Sequence, residues 1–298
     1  MKKKIYLGLS LILSFSMLTA CGNKIAKEKS TDKIEVVTSF NAIYDIASKI
    51  GGDRIAIKNI VPKGTEAHDF EPKPKDMVDL NKADVFVYNG LGMEEWVDST
   101  LKSINNDKLV VVEATKNTNL IKNKDSKEGE GHGEFDPHVW LSLQDSNIMA
   151  RNIMEAFIKV DGENKEYYQG RYKEFSEGNA ILLKEYEEKF SKIENKGFVT
   201  SHAAFAYLCR DFKLQQSSVA GIFNDGEPTS QKLSDMVNFC KENNVKTIFM
   251  ESDGSEKVAQ TIAKEINGNV EKINTLESEG SYLETMRENL EKIYNSLK

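Results

Sequence analysis

Four histidines stand in this chain of 298 residues: His68 in "EAHDFEP", His132 in "GEGHGEF", His138 in "DPHVWLS" and His202 in "TSHAAFAYL". Imidazole is the commonest side-chain ligand for divalent metals and stays neutral near physiological pH. Alone, each ring reads as a hydrogen-bonded loop histidine. Three of them share a context that changes the reading. His202 directly follows a strand-like run and opens a helix, and His68 follows "RIAIKNIV" by the short turn "PKGT". His138 lies just before a helix that begins near Asn147. Open parallel α/β sheets bind ligands at the carboxyl ends of their strands. His68, His138 and His202 are therefore expected to converge on one cation. Zinc takes four nitrogen, sulfur or oxygen donors in a tetrahedron, whereas manganese asks for more carboxylate oxygens. Asp69 and Asp136 either orient the rings from behind or cap turns.

Other chemistries lack their residues. No CxxC spacing exists, and the thiols Cys209 and Cys240 lie in the apolar settings "AYLCRDF" and "VNFCKEN". They read as buried structural cysteines, with a disulfide between them left open. There is no HExxH and no Walker-type phosphate loop. Gly90 and Gly92 follow a strand, but Glu95 stands where a dinucleotide fingerprint needs its third glycine, so a tight turn is the better account.

The elements that must position the histidines follow from periodicity. "IEVVTS", "RIAIKNIV", "ADVFVYNG" and "KLVVVEA" read as strands, with "NAIYDIASKI" and "KPKDMVDLNKA" as helices between them. Residues 116–135 break the pattern with a polar, glycine-containing loop around His132, Glu128, Glu130 and Glu134. "SNIMARNIMEAFIKV" resumes helical spacing. From Glu163 to Glu194 no proline interrupts, and Tyr167, Tyr168, Tyr172, Phe175, Leu182, Leu183, Tyr186 and Phe190 recur at helical intervals. That length exceeds an ordinary helix of one compact domain and predicts a rod joining two lobes. A second series follows: strands "GFVTS", "LQQSSVAGI", "KTIFMES" and "NVEKIN", with helices after each and Thr229 or Ser230 as an N-cap. Strands alternating with helices imply parallel sheets covered on both faces. The expected fold class is α/β, two such lobes joined by one long rigid helix, with a metal site in the cleft between them. The expected boundaries are 33–160 for the first lobe, 161–194 for the linking helix and 195–298 for the second.

The chain opens "MKKKIYLGLSLILSFSMLTACGN", a basic head and an apolar body too short to span a bilayer. It ends in "LTAC", which resembles a bacterial lipobox with Cys21 as the acylated residue. Residues 1–20 then form a lipoprotein signal peptide, and 21–32 a polar, flexible tether. Formal charge is −7, and becomes −10 once residues 1–20 are removed. An acidic exported body argues against nucleic acid or anionic lipid as partner. Acyl chains, palmitate among them, would hold it at the extracytoplasmic face of the cell membrane.

The ordered set "EAHDFEP", "NGLGMEEWVD", "DPHVWLS", "VTSHAAFAYL", "GEPTSQKL", "IFMES" and "SYLETMRENL" resembles the metal-binding lipoproteins of bacterial zinc and manganese ABC transporters, over Ile34 to Lys298. The resemblance implies two α/β lobes bridged by a long helix. It implies a monomeric receptor, not an enzyme, that captures zinc and delivers it to an ABC permease and its ATPase subunit. The family's first three ligands fall on His68, His138 and His202. Histidine at the third place favours the zinc branch, since the manganese branch commonly carries glutamate there. For the fourth ligand the family supplies an acid two residues ahead of the terminal tyrosine, where this chain has Gly280. Glu279, adjacent, is the candidate; Glu277 is a poorer one, and water is the other alternative. Zinc-branch relatives often carry a histidine-rich loop where His132 lies. A manganese receptor, an exported zinc hydrolase and a host-matrix adhesin remain as alternative functions.

Overall fold

In the computed structural model, which describes residues 33–65, 67–68, 70–123, 133–222, 228–251 and 254–298, each β-branched run forms a strand trimmed at its ends. Strands β1 (Ile34–Thr38), β2 (Ile55–Asn59), β3 (Val85–Tyr88) and β4 (Val110–Glu113) form one parallel sheet in the order β2-β1-β3-β4. Strands β5 (Gly197–Thr200), β6 (Gln215–Ser218), β7 (Thr247–Met250) and β8 (Asn269–Lys272) repeat it as β6-β5-β7-β8, again parallel. Each sheet thus changes direction of winding between its two central strands, and there the carboxyl ends open a crevice. The signal peptide, Cys21, the tether and His132 lie outside the described residues.

Side chains of a strand point alternately to opposite faces. Val36, Val85 and Val87 face one core while Val37 and Phe86 face another, so both faces of the first sheet are covered. In the second sheet Phe198 and Phe249 point to the larger core, and Val199 and Ile248 to a smaller one. The larger core also takes residues of α1 (Asn41–Gly51), α4 (Asp145–Val160) and α9 (Tyr282–Ser296), so apolar packing is continuous from one sheet to the other. Within it Trp140 is fully buried, edge-on to Phe40 at 4.9 Å and donating its indole N–H to Thr275 O at 2.7 Å.

The predicted rod is α5 (Lys165–Ser191), 27 residues long and about 40 Å at 1.5 Å per residue. A short 3₁₀ turn, Gly162–Asn164, precedes it. Tyr168, Phe175, Asn179, Leu182, Tyr186 and Phe190 make its buried stripe. Its start is tied to α1, where Arg171 Nε donates to Lys49 O at 2.9 Å. Its end is tied to α9, where Tyr186 Oη donates to Glu291 Oε2 at 2.7 Å and Arg287 pairs with Glu185 at 2.7 Å. The rod therefore touches an early helix and the last one.

The remaining helices are α2 (Pro74–Lys82), α3 (Val97–Ser103), α6 (Ala206–Phe212), α7 (Ser230–Glu242) and α8 (Glu256–Glu265). Pro74 opens α2, where its missing N–H leaves nothing unsatisfied. Thr229 caps α7, its Oγ1 accepting from Lys232 N at 3.2 Å. Among the described residues no helix is long and apolar enough to cross a membrane. Cys209 on α6 and Cys240 on α7 are free and buried, so the disulfide left open by the sequence is not formed. Burial pushes both thiols up, Cys240 to about 11.

Candidate metal centre

Three of the four histidines meet at the facing carboxyl ends of the sheets. His202 follows β5, and His68 follows β2 through the turn at Pro62–Thr65. His138 opens a 3₁₀ turn, Val139–Leu141, ahead of α4. The rings of His68 and His138 lie 5.4 Å apart, and those of His138 and His202 5.3 Å apart. The Nε2 atoms of His138 and His202 are 3.4 Å from each other. They lie 3.7 Å and 3.9 Å from Glu277 Oε1. Ligand atoms of His68, His138 and Glu277 all fall within 4.8 Å of one another. Tetrahedral zinc with bonds near 2.0–2.1 Å separates its donors by about 3.3 Å, so this spacing suits one shared ion. His138, His202 and Glu277 are buried; His68 is partly exposed and marks the solvent side.

Carboxylates stand behind two of the rings. Asp136 Oδ1 accepts from the His138 backbone N at 2.9 Å and from its ring Nδ1 at 2.8 Å. The ring proton is thereby held on Nδ1, and the Nε2 lone pair is left for a cation. Burial lowers the His138 pKa, outweighing the Asp136 charge that would raise it, and His202 lowers it further. The ring is thus neutral near pH 7, as a ligand must be. On the other side His202 Nδ1 lies 3.5 Å from Glu251 Oε2. Glu251 follows β7, the strand beside β5, so the second sheet's crevice places both. Sequence reasoning gave Asp136 a choice of two roles and Glu251 none. The available signal for Glu251 was an acid at a strand end, in "IFMES".

The fourth position differs from expectation. Glu279 is not in the cluster: its carboxylate is half exposed and pairs with Lys63 Nζ at 2.8 Å. Glu277 faces the histidines instead. The reason lies in the turn. Leu276 has φ +67° and Gly280 φ +117°, and a Cβ at Gly280 would meet Thr285 Oγ1 at 2.6 Å. A side chain at 280 would be strained and would crowd Thr285 in this backbone, and it is the carboxylate at 277 that reaches the histidines.

A second buried acid steadies the site from the first sheet. Glu94 accepts from the backbone N–H of Asn89 at 2.8 Å and of Gly90 at 3.0 Å, just past β3. Asn89 Nδ2 in turn donates to Pro137 O at 3.0 Å, next to His138. Burial pushes the Glu94 carboxyl up to about 7, against the lowering hydrogen bonds. The folded chain keeps this proton while the unfolded chain releases it near pH 4.5. Stability from this group is therefore full below that pH and is lost as pH rises towards 7, by about 3 kcal/mol at most. Urea denaturation of wild type and Glu94→Gln between pH 4.5 and 7.5 should show a falling difference in favour of wild type. A flat difference contradicts this reading of Glu94.

The donor set of three imidazoles and one carboxylate contains no thiolate and suits a borderline divalent ion such as zinc. Comparison with known proteins agrees with the geometry. The family described as ZnuA, zinc-uptake complex component A, periplasmic, matches residues 36–296. The high-affinity zinc uptake system protein ZnuA of Bacillus subtilis (strain 168) is 37% identical over 99% of this chain and 98% of its own. A solved structure of the metal-dependent lipoprotein YcdH from Bacillus subtilis has a TM-score of 0.75 at 37% identity, over 89% of this chain and 99% of that one. The laminin-binding protein Lmb of Streptococcus agalactiae, described as bifunctional with adhesin and metal transporting activity, has a TM-score of 0.80 at 33% identity, over 90% and 100%. With two parallel sheets and a long helix matching these folds, and the family pattern running through nearly all of the described residues, the chain belongs to the ZnuA family.

Proposed function

We propose that this protein is an extracytoplasmic zinc receptor that carries the ion between its lobes and yields it to an ABC permease driven by a separate ATPase. The observation that carries the reading is the meeting of His68, His138 and Glu277 ligand atoms within 4.8 Å, with His202 Nε2 3.4 Å from His138. Zinc is the cargo, and His68, His138, His202 and Glu277 are its ligands. Asp136 and Glu251 orient His138 and His202 and offset the charge of the cation. Three nitrogens to one carboxylate favour zinc over manganese. As a member of a family of receptors the protein binds and releases, and catalyses nothing.

The lobes correspond to residues 33–160 and 195–298, with 161–194 between them. Cys21 carries the acyl anchor at the cell membrane, and 21–32 tether a monomeric receptor to it. The lipobox "LTAC" and a structural relative described as a lipoprotein support the anchor. Metal analysis of protein purified without chelator, followed by competition between zinc and manganese, tests the function. Zinc should be retained and should displace manganese; equal retention of manganese contradicts the reading.

A further inference from the structure

The loop between β8 and α9 brings Glu277 to the site from the second half of the chain. Asn274 ties that loop from within, its Oδ1 accepting from Leu276 N at 2.7 Å and its Nδ2 donating to Glu279 O at 3.2 Å, and the first half reaches it as well. Asn41, the first residue of α1, makes three hydrogen bonds to it. Its backbone N–H donates to Glu277 O at 3.2 Å. Its side-chain Nδ2 donates to Leu276 O at 3.0 Å and to Gly280 O at 3.2 Å. The carbonyls it takes belong to Glu277 itself and to the two positive-φ residues on either side of it, Leu276 and Gly280. Other first-half groups hold the two ends of the loop: Trp140 Nε1 donates to Thr275 O at 2.7 Å, and Asp45 Oδ2 accepts from Tyr282 N at 2.8 Å. Gly64 N donates to Ser278 O at 3.4 Å, and the Lys63–Glu279 pair is open to water. Asn41 is thus the first-lobe side chain bonded to the carbonyls on either side of Glu277, a carboxylate contributed by the second.

We propose that Asn41 is the positioning residue for Glu277, holding its carboxylate in the zinc shell across the cleft and so setting how long the ion stays. This rests on the reading of the cluster as a zinc site with Glu277 as a ligand. Separation of the lobes must break these bonds or carry the loop with the first lobe. In either case the carboxylate is tied to lobe closure, while His202 stays with the second sheet.

The test is a double-mutant cycle on the full chain. Zinc affinity and release rate are measured by competition with a chromophoric chelator, for wild type, Asn41→Ala, Glu277→Ala and the double variant. Loss of an outer partner of a metal ligand weakens binding by about 10–100-fold. Asn41→Ala should do so mainly through faster release, and should add nothing once Glu277 is gone. Asn41→Leu, similar in size and donating nothing, should match Asn41→Ala, and a thermal melt of each apo variant shows that it folds. Wild-type affinity in both Asn41 variants overturns the proposal. So does a loss of equal size in the presence and absence of Glu277, which would mean Asn41 acts elsewhere. Unchanged affinity in Glu277→Ala removes the proposal together with the fourth ligand but leaves a three-histidine receptor; absence of zinc binding by wild type removes the receptor itself.

Discussion

Replacing His138 by alanine should weaken zinc binding by more than ~100-fold, beyond the range seen when only a ligand's outer partner is lost. His138 is the hub of the cluster. Its Nε2 lies 3.4 Å from His202 and 3.7 Å from Glu277, and its ring lies 5.4 Å from His68. It is fully buried, its ring tilted at 53° to Trp140 with centroids 5.2 Å apart. The change also takes the ring donor from buried Asp136 Oδ1, which keeps only the backbone N–H of residue 138. A hydrogen bond to a charged group contributes about 1.5–3 kcal/mol, so the apo variant should melt earlier than wild type. Titration against a competing chelator measures the first effect and calorimetry the second. A loss under tenfold in affinity contradicts the assignment of His138 as a ligand.

The second large effect separates two glutamates that are two residues apart. Glu277→Ala should cost about 100-fold in zinc affinity, because it removes the one carboxylate in the donor set. Glu279→Ala should change affinity by no more than about threefold. Its partner, Lys63, is 77% exposed and Glu279 itself 50%, and such surface pairs contribute roughly 0–1 kcal/mol to stability. The pair of variants is informative because both remove the same charge from the same loop. Long-range electrostatics would weaken binding similarly in both, whereas direct ligation distinguishes them. A larger loss in Glu279→Ala than in Glu277→Ala would reverse the assignment.

Much of this architecture was legible from periodicity. The run "IEVVTS" became β1 because its alternating apolar residues bury on two faces, Val36 to one and Val37 to the other. The aromatic stripe from Tyr168 to Phe190 became one face of α5 for the same reason at helical spacing. Strand ends also told where His68 and His202 would lie. α3 was not legible: its seven residues hold only Val97 and Leu101 as apolar members, too few for a period to declare itself.

The inward carboxylate was hidden for a different reason. The family resemblance pointed to 280, a glycine here, and so to adjacent Glu279, but the aim of a loop side chain is set by backbone torsions. Leu276 at φ +67° is a bulky residue in a region it seldom adopts, and nothing in "TLESEGS" announces it. The tie from Asn41 is long-range in sequence, 235 residues to Leu276, and no local pattern encodes such a pair. Glu251 lay unassigned because its role appears only when β7 is seen beside β5.

Zinc K-edge X-ray absorption on the protein loaded with one equivalent of zinc addresses the central claim most directly. Three imidazoles and one carboxylate predict a nitrogen and oxygen shell near 2.0–2.1 Å, imidazole multiple scattering from three rings, and no sulfur near ~2.3 Å. A sulfur contribution, or scattering from fewer than three imidazoles, would contradict a centre built from His68, His138, His202 and Glu277.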